Sequence, residues 1–220
     1  MRVNEYVRCE KFPCTDVNHK AYIVPNFDLR PQDITIVMIS EAAPADSRDY
    51  YYSGGNALFQ ETTLQAFKDA VSLASQDALS QASKGAISRL ETIQDVLGLG
   101  VYFTTAVKCG KTGYGIQAGT INECSLLLEK ELALFPAVKV YMLMGDVAIK
   151  ALNNIARRSG EKRPIPAGST YKIRSGEYWF QGKRVFPSYL QAGPSFYIEK
   201  SKRRVIAEDI RAALSIVNAL

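Results

Sequence analysis

The sequence predicts an α/β fold organised around a mostly parallel sheet. Two observations carry that expectation. Four short runs of β-branched and aromatic residues are spaced along the chain, and the stretches between and after them hold apolar residues at helical spacing. The 220 residues suit one domain, and an apolar fraction of 47% against 22% charged is enough to bury a core.

The elements follow in order. Residues 1 to 32 read as an irregular N-terminal arm, broken by Pro13, Pro25 and Pro31. Ile34 to Ile39 is a buried strand, followed by the loop SEAAPADSRDYYYSGGN. Over residues 57 to 73, Leu58, Phe59, Leu64, Phe67, Val71 and Leu73 recur near helical spacing. Residues 74 to 85 are polar, and 86 to 97 look helical again. Val101 to Val107 is a second strand, and residues 120 to 134 form an amphipathic helix that Thr120 would cap. Val138 to Met144 is a third strand, after which Gly145 and Asp146 open a helix to about Arg157. Residues 159 to 182, rich in Gly and Pro, read as a hairpin-like insert bearing Tyr171, Tyr178 and Trp179. Arg184 to Ser188 is a fourth strand, and residues 201 to 219 form a closing helix. Ligands of such sheets bind beyond the carboxyl ends of the strands, here the loops near Ser40, Lys108, Gly145 and Ser188.

Composition narrows the function. The chain holds a single histidine, His19, which rules out HExxH zinc sites and paired imidazole sites. Its polar setting, TDVNHK, reads as surface. A net charge of +5 permits a polyanionic partner without demanding one. Lys200, Lys202, Arg203 and Arg204 cluster at the start of the last helix, and Lys108, Lys111, Lys162 and Arg163 extend a candidate basic strip. No Walker or GxGxxG pattern occurs, so no nucleotide cofactor is expected. Neither an apolar run of membrane-spanning length nor a secretory leader is visible, and the expectation is a cytoplasmic monomer.

The four cysteines are Cys9, Cys14, Cys109 and Cys124. They read either as four unrelated thiols or as a soft-metal set, for zinc or an iron–sulfur cluster. Cys9 and Cys14 sit in a polar arm rather than a core, where free cysteine usually lies.

Four segments then resemble one family. Ser40-Glu41-Ala42-Ala43-Pro44 is similar to the GEAPG motif of the uracil-DNA glycosylase superfamily in its iron–sulfur form, family 4. Thr104 to Cys109 resembles its TNVVKC segment, and Leu143 to Ala148 its LLGxxA segment. Pro187-Ser188-Tyr189 and Gly193-Pro194-Ser195 resemble its PTYHPS stretch. The pieces are collinear from about residue 5 to 215. The resemblance implies a three-layer α/β/α sandwich with a central four-stranded sheet. It implies a structural [4Fe-4S] cluster on Cys9, Cys14, Cys109 and Cys124, with zinc as the alternative occupant. It implies DNA as partner and hydrolysis of the N-glycosidic bond of uracil or another damaged base, the base being flipped from the stack.

Residue roles carry over with that resemblance. Glu41 would be the catalytic carboxylate, with Asp46 a second candidate, since a carboxylate near an oxocarbenium-like sugar stabilises charge and positions water. Ala42, Tyr52, Thr105 and Gly193 would line the base pocket, with Tyr52 stacking on the base. Pro194, Ser195, Lys200, Lys202 and Arg203 would contact DNA. Three departures stand out. The first cysteine pair is C-x4-C where the family usually has C-x2-C. Thr105 replaces the asparagine that reads uracil. Gly193, or Phe186 if FPSYL is laid on the family's HPSYL, replaces the histidine that steadies the leaving base. The missing histidine makes a catalytically impaired DNA-binding protein on the same fold the alternative reading.

Overall fold

Among the described residues the sheet has six strands, in the spatial order β1-β3-β2-β4-β6-β5. They are β1 (Val17–Asn18), β2 (Ile36–Ala43), β3 (Val101–Lys111), β4 (Val140–Met144), β5 (Tyr178–Phe180) and β6 (Lys183–Ser188). The computed structural model describes residues 1–76 and 90–217. The inner four, β3-β2-β4-β6, run parallel, as the four expected strands require. β1 and β5 add short antiparallel edges; β5 is one arm of the hairpin expected in the 159–182 insert, whereas β1 lies in the arm that reads as irregular.

Seven helices among the described residues cover the sheet: α1 (Leu58–Gln76), α2 (Ile93–Gly98), α3 (Ala118–Leu132), α4 (Asp146–Arg158), α5 (Thr170–Ile173), α6 (Ser195–Ile198) and α7 (Lys200–Ile216). The pleat divides the core in two. Val37, Ile39, Tyr102, Tyr141 and Leu143 pack with α3 and α4, whereas Ile36, Met38, Phe103, Met142 and Met144 pack with α1, α2 and α7. The result is an α/β/α sandwich with helices on both faces. No helix among the described residues is long and apolar enough to cross a membrane.

Several boundaries move from their expected places, each for a tertiary reason. β2 continues past Ile39 through Ser40, Glu41 and Ala42, because β3 pairs with it there (Ser40↔Thr105, Ala42↔Val107). β3 runs to Lys111 because β1 pairs with its end. The amphipathic helix starts at Ala118 with Gln117 as its cap residue, so Thr120 is not the cap; its hydroxyl donates to Asp16 instead. The hairpin after residue 159 uses β6 as its second arm. Gln181 (φ 50°) and Gly182 (φ 74°) form the two-residue turn, both at the positive φ that a tight hairpin demands. Of the segment 86 to 97, residues 86 to 89 lie outside the described residues; helix is present from Ile93, opened by a Thr92–Asp95 capping box. Residues 218 and 219 of the closing helix also lie outside.

One polar group is buried in the α3 face of the sandwich. Lys108, on β3, is fully enclosed and ion-paired with the equally enclosed Glu131 on α3. Lys108 Nζ also donates to Thr104 Oγ1 (2.7 Å) and to the Thr105 carbonyl (2.6 Å). Glu131 accepts from Tyr102 (2.7 Å) and Thr104 (2.8 Å). Lys108 is therefore no part of a surface basic strip. It was read as exposed because lysine usually is; here a carboxylate and two oxygens take up all three of its protons. Glu131→Ala should cost about 3–5 kcal/mol in urea unfolding, because it strands a buried ammonium. The double variant Lys108→Met, Glu131→Leu should recover most of that loss.

Candidate functional site

Three parallel strands end together beside Glu41. Glu41 sits in the last turn of the β2 ladder, its side chain 18% exposed, with Oε2 3.4 Å from Lys111 Nζ at the end of β3. Its carboxylate lies against Gly145, the residue that ends β4 and opens α4. A Cβ on Gly145 would fall 2.7 Å from Glu41 Oε1, and φ there is +102°, so glycine is required on both counts. Gly145 N–H donates to the Ser188 carbonyl (3.0 Å), which ties β6 into the same corner. Ser188 Oγ donates to Asp209 (2.6 Å), whose other oxygen accepts from Arg174 (2.8 Å). Burial raises the Asp209 pKa against the pull of Arg174 and Ser188. Ala42, the next residue of the motif, is buried in the β2–β3 ladder opposite Val107.

Asp46 does not face this corner. Its carboxylate caps the short 3-10 turn Ser47–Asp49, accepting from Arg48 N (3.0 Å) and from the Arg48 guanidinium (2.5–3.0 Å). Those bonds from Arg48 hold its pKa down at about 2.

All three tyrosines of the run pack. Tyr50 and Tyr51 are buried and Tyr52 is half-buried. The Tyr52 hydroxyl accepts from Phe103 N–H (2.9 Å) and donates to the Phe103 carbonyl (3.3 Å). It thereby seals the open edge of β3 before β1 begins, and its ring rests on Phe27 (4.5 Å). Tyr51 instead reaches the strand ends: its hydroxyl bonds Ser40 Oγ and accepts from Gln191 Nε2 (3.2 Å). Desolvation holds its pKa well above the usual phenol value. Thr105, across the ladder from Ser40, is buried with its hydroxyl unpartnered. Gly193 is also buried, with φ +95°; its N–H donates to Thr62 Oγ1 (3.2 Å), and Phe59 lies beside it.

The cysteines converge from three elements. The β2–β3 register jumps from Ala42↔Val107 to Ala43↔Gly110, so Lys108 and Cys109 form a bulge at the strand end. Cys124 lies on the buried face of α3, and both it and Cys109 are buried, while Cys9 and Cys14 are half-buried on the arm. Asp16 fastens that arm to α3, accepting from Gln117 N–H (2.7 Å) and from Thr120. Burial opposes its ionisation, but those bonds leave its pKa below the usual carboxylate value. Desolvation first, then Cys124, Cys9 and Cys14, push the Cys109 thiol up to about 12; desolvation and the neighbouring thiols raise Cys124 to about 11. The thiols thus stand close enough to act on one another's ionisation, the inner two out of water and the outer two half-buried. Among the described residues, no group of three or more His, Cys, Asp and Glu side chains is arranged to hold a metal ion.

His19 belongs to this region and is not a surface residue. Its Nε2 lies 2.7 Å from the Cys14 carbonyl, which can only accept, so Nε2 carries a proton. Nδ1 is 3.4 Å from Cys109 Sγ, and Phe12 packs edge-on against the ring. The signal for it was position: the sole histidine follows Cys14 by five residues.

The basic run on the last helix is largely paired. Arg203 bonds Asp69 on α1 (2.7 Å from Nη2 to Oδ1) and lies over Phe196. Lys202 pairs with Glu199 (2.6 Å) and Arg204 with Glu208 (3.2 Å). Lys200, Pro194 and Ser195 are exposed, as are Tyr197 and Ile198, which the sequence reading passed over.

No family model matches this chain. It is similar to a type-5 uracil-DNA glycosylase of Thermus thermophilus, 29% identical over 94 residues. The match takes in 43% of this chain and 43% of the relative's length. The superfamily resemblance read from the motifs thus has a counterpart in a uracil-DNA glycosylase similar to part of this chain.

The burial of the thiols has a direct chemical consequence. In chelator-treated protein at pH 8, a small alkylating agent should modify Cys9 and Cys14 well before Cys109 and Cys124, read by mass spectrometry. The slow pair should gain reactivity only as the pH approaches about 11 to 12, where their thiolates form.

Proposed function

We propose that this chain is a DNA glycosylase that hydrolyses the N-glycosidic bond of uracil or another damaged base. The observation that carries the reading is Glu41: a partly exposed carboxylate at the carboxyl end of the central strand, packed on Gly145 and flanked by Lys111. The similarity to a type-5 uracil-DNA glycosylase supports the same reaction class.

Base release leaves a sugar with oxocarbenium character and a base bearing negative charge. Glu41 supplies the negative group that stabilises the sugar and orients a water towards it. The Lys111 ammonium beside it is the cation available to offset charge on the departing base. Thr105 Oγ1, buried without a partner, is the free polar group nearest the role of the family's asparagine.

The same reading includes a [4Fe-4S] cluster on Cys9, Cys14, Cys109 and Cys124. Support comes from the donor chemistry, four soft thiols in one region drawn from the arm, β3 and α3. When bound, the cluster would brace those three segments and take no part in bond cleavage. Protein purified without air should contain iron and acid-labile sulfide and absorb in the visible, and Cys109→Ala should abolish both.

One observation favours the second reading, a DNA-binding protein without activity. Gly193, which stands where the family has histidine, has its N–H engaged by Thr62 and so offers the leaving base no donor. A single assay separates the two. Single strands and duplexes containing uracil are incubated with the protein and alkali-sensitive abasic sites are counted. Release is expected, and Glu41→Gln should lower it by about 10² to 10⁴-fold without loss of fold. Binding without abasic product across uracil and other damaged bases would establish the second reading.

A further inference from the structure

Two aromatic rings, each beside a lysine, stand at the rim of the Glu41 corner. Tyr114 lies on the loop between β3 and α3, between Gly113 and Gly115, and is fully exposed (101%). That loop is pinned at both ends to one residue. Thr112 Oγ1 donates to the Asp16 carbonyl (2.8 Å), and Gln117 N–H donates to the Asp16 carboxylate (2.7 Å). The ring is therefore held out into solvent from a fixed base. Lys111 Nζ lies 6.0 Å from the ring centroid, and the same lysine pairs with Glu41.

Tyr189 lies just after β6, half-buried, with Lys202 Nζ 5.3 Å from its centroid. Glu199 is the main influence on the Lys202 ammonium, and the phenols of both Tyr189 and Tyr114 also act on it. Lys202 thus stands beside Tyr189, which follows Ser188 in the Glu41 corner, and Lys111 joins Tyr114 to Glu41.

A large apolar face left fully in water invites a flat partner. Aromatic side chains on a groove with lysines are the platform on which unpaired bases stack while cations follow the phosphates. In a duplex the base faces are already covered by their neighbours, so such rings gain contact only with unstacked nucleotides.

We propose that Tyr114 and Tyr189 form a stacking rim for a base flanking the one at Glu41, so that the chain engages single-stranded DNA in preference to duplex. The proposal rests on the glycosylase reading above and adds its substrate class.

The test uses the full chain as purified, with a fluorescein-labelled oligodeoxynucleotide holding one central uracil, as a single strand and as a duplex at the same salt. Fluorescence anisotropy should show tighter binding to the single strand. Tyr114→Ala should weaken single-strand binding by about 5- to 150-fold, leave duplex binding unchanged and leave thermal unfolding unchanged. Tyr114→Phe should bind as the parent does. With 2-aminopurine placed beside the uracil, the parent should quench its emission more than Tyr114→Ala. An unchanged single-strand affinity in Tyr114→Ala, or an equal loss on both substrates, would overturn the stacking rim and leave the glycosylase reading standing. No binding by the parent protein to either substrate would overturn both.

Discussion

The buried pair of Lys108 with Glu131 is the contact on which the rest of this molecule turns. An ammonium taken out of water is tolerated only where its charge and all its protons are met. Glu131, Thr104 and the Thr105 carbonyl meet them here, and Tyr102 completes the carboxylate's side. The pair locks α3 onto β3 in one register. Cys109 is the next residue after Lys108, and Cys124 lies two turns before Glu131 on the same buried helix face. One ion pair therefore sets the spacing of the two inner thiols. It also fixes the bulge from which β3 continues to Lys111, and so delivers Lys111 to Glu41.

The second device is the N-terminal arm. It would be a loose leader if only its composition counted. Asp16 binds it to the start of α3, β1 pairs it with the end of β3, and Ile23 N–H donates to the Lys108 carbonyl (2.8 Å). Those links bring Cys9, Cys14 and His19 to the thiol region and support the loop that carries Tyr114. The thiol region and the Glu41 corner thus both adjoin the end of β3.

The fold was legible because strand and helix periods differ so plainly along this chain. The runs around Val37, Phe103, Met142 and Val185 could only be buried strands, and the helical stretches between them imply parallel crossovers. What escaped were the edge strand β1, the bounds of β5 and the true ends of β2 and β3. Val17–Asn18 and Tyr178–Phe180 are too short to show a period, and they are strands only because a longer neighbour offers them hydrogen bonds. The sequence could also name Glu41 beyond the first buried strand, and Gly193 by its place in the PTYHPS-like stretch. It could not show that Tyr52 closes the edge of β3, that Tyr51 and Gln191 meet at Ser40, or that Asp46 is held by Arg48. The first two are partnerships across many residues and a choice among equal tyrosines; the third is a local turn bond, which residue types alone do not distinguish from a carboxylate left free.

The sequence by itself determined the α/β class, the absence of multi-histidine chemistry, and the order of motifs that resemble one superfamily. These follow from residue types and their periods, which survive without coordinates. Only the tertiary structure decided which charges are surface and which are core. Lys108 reads as solvated because lysine usually is, and His19 because its setting TDVNHK is polar; Lys108 is fully buried and His19 half-buried because specific partners elsewhere in the chain meet their protons. Solvation is a property of the assembled environment, and a linear pattern carries no record of which distant carboxylate or carbonyl will supply it.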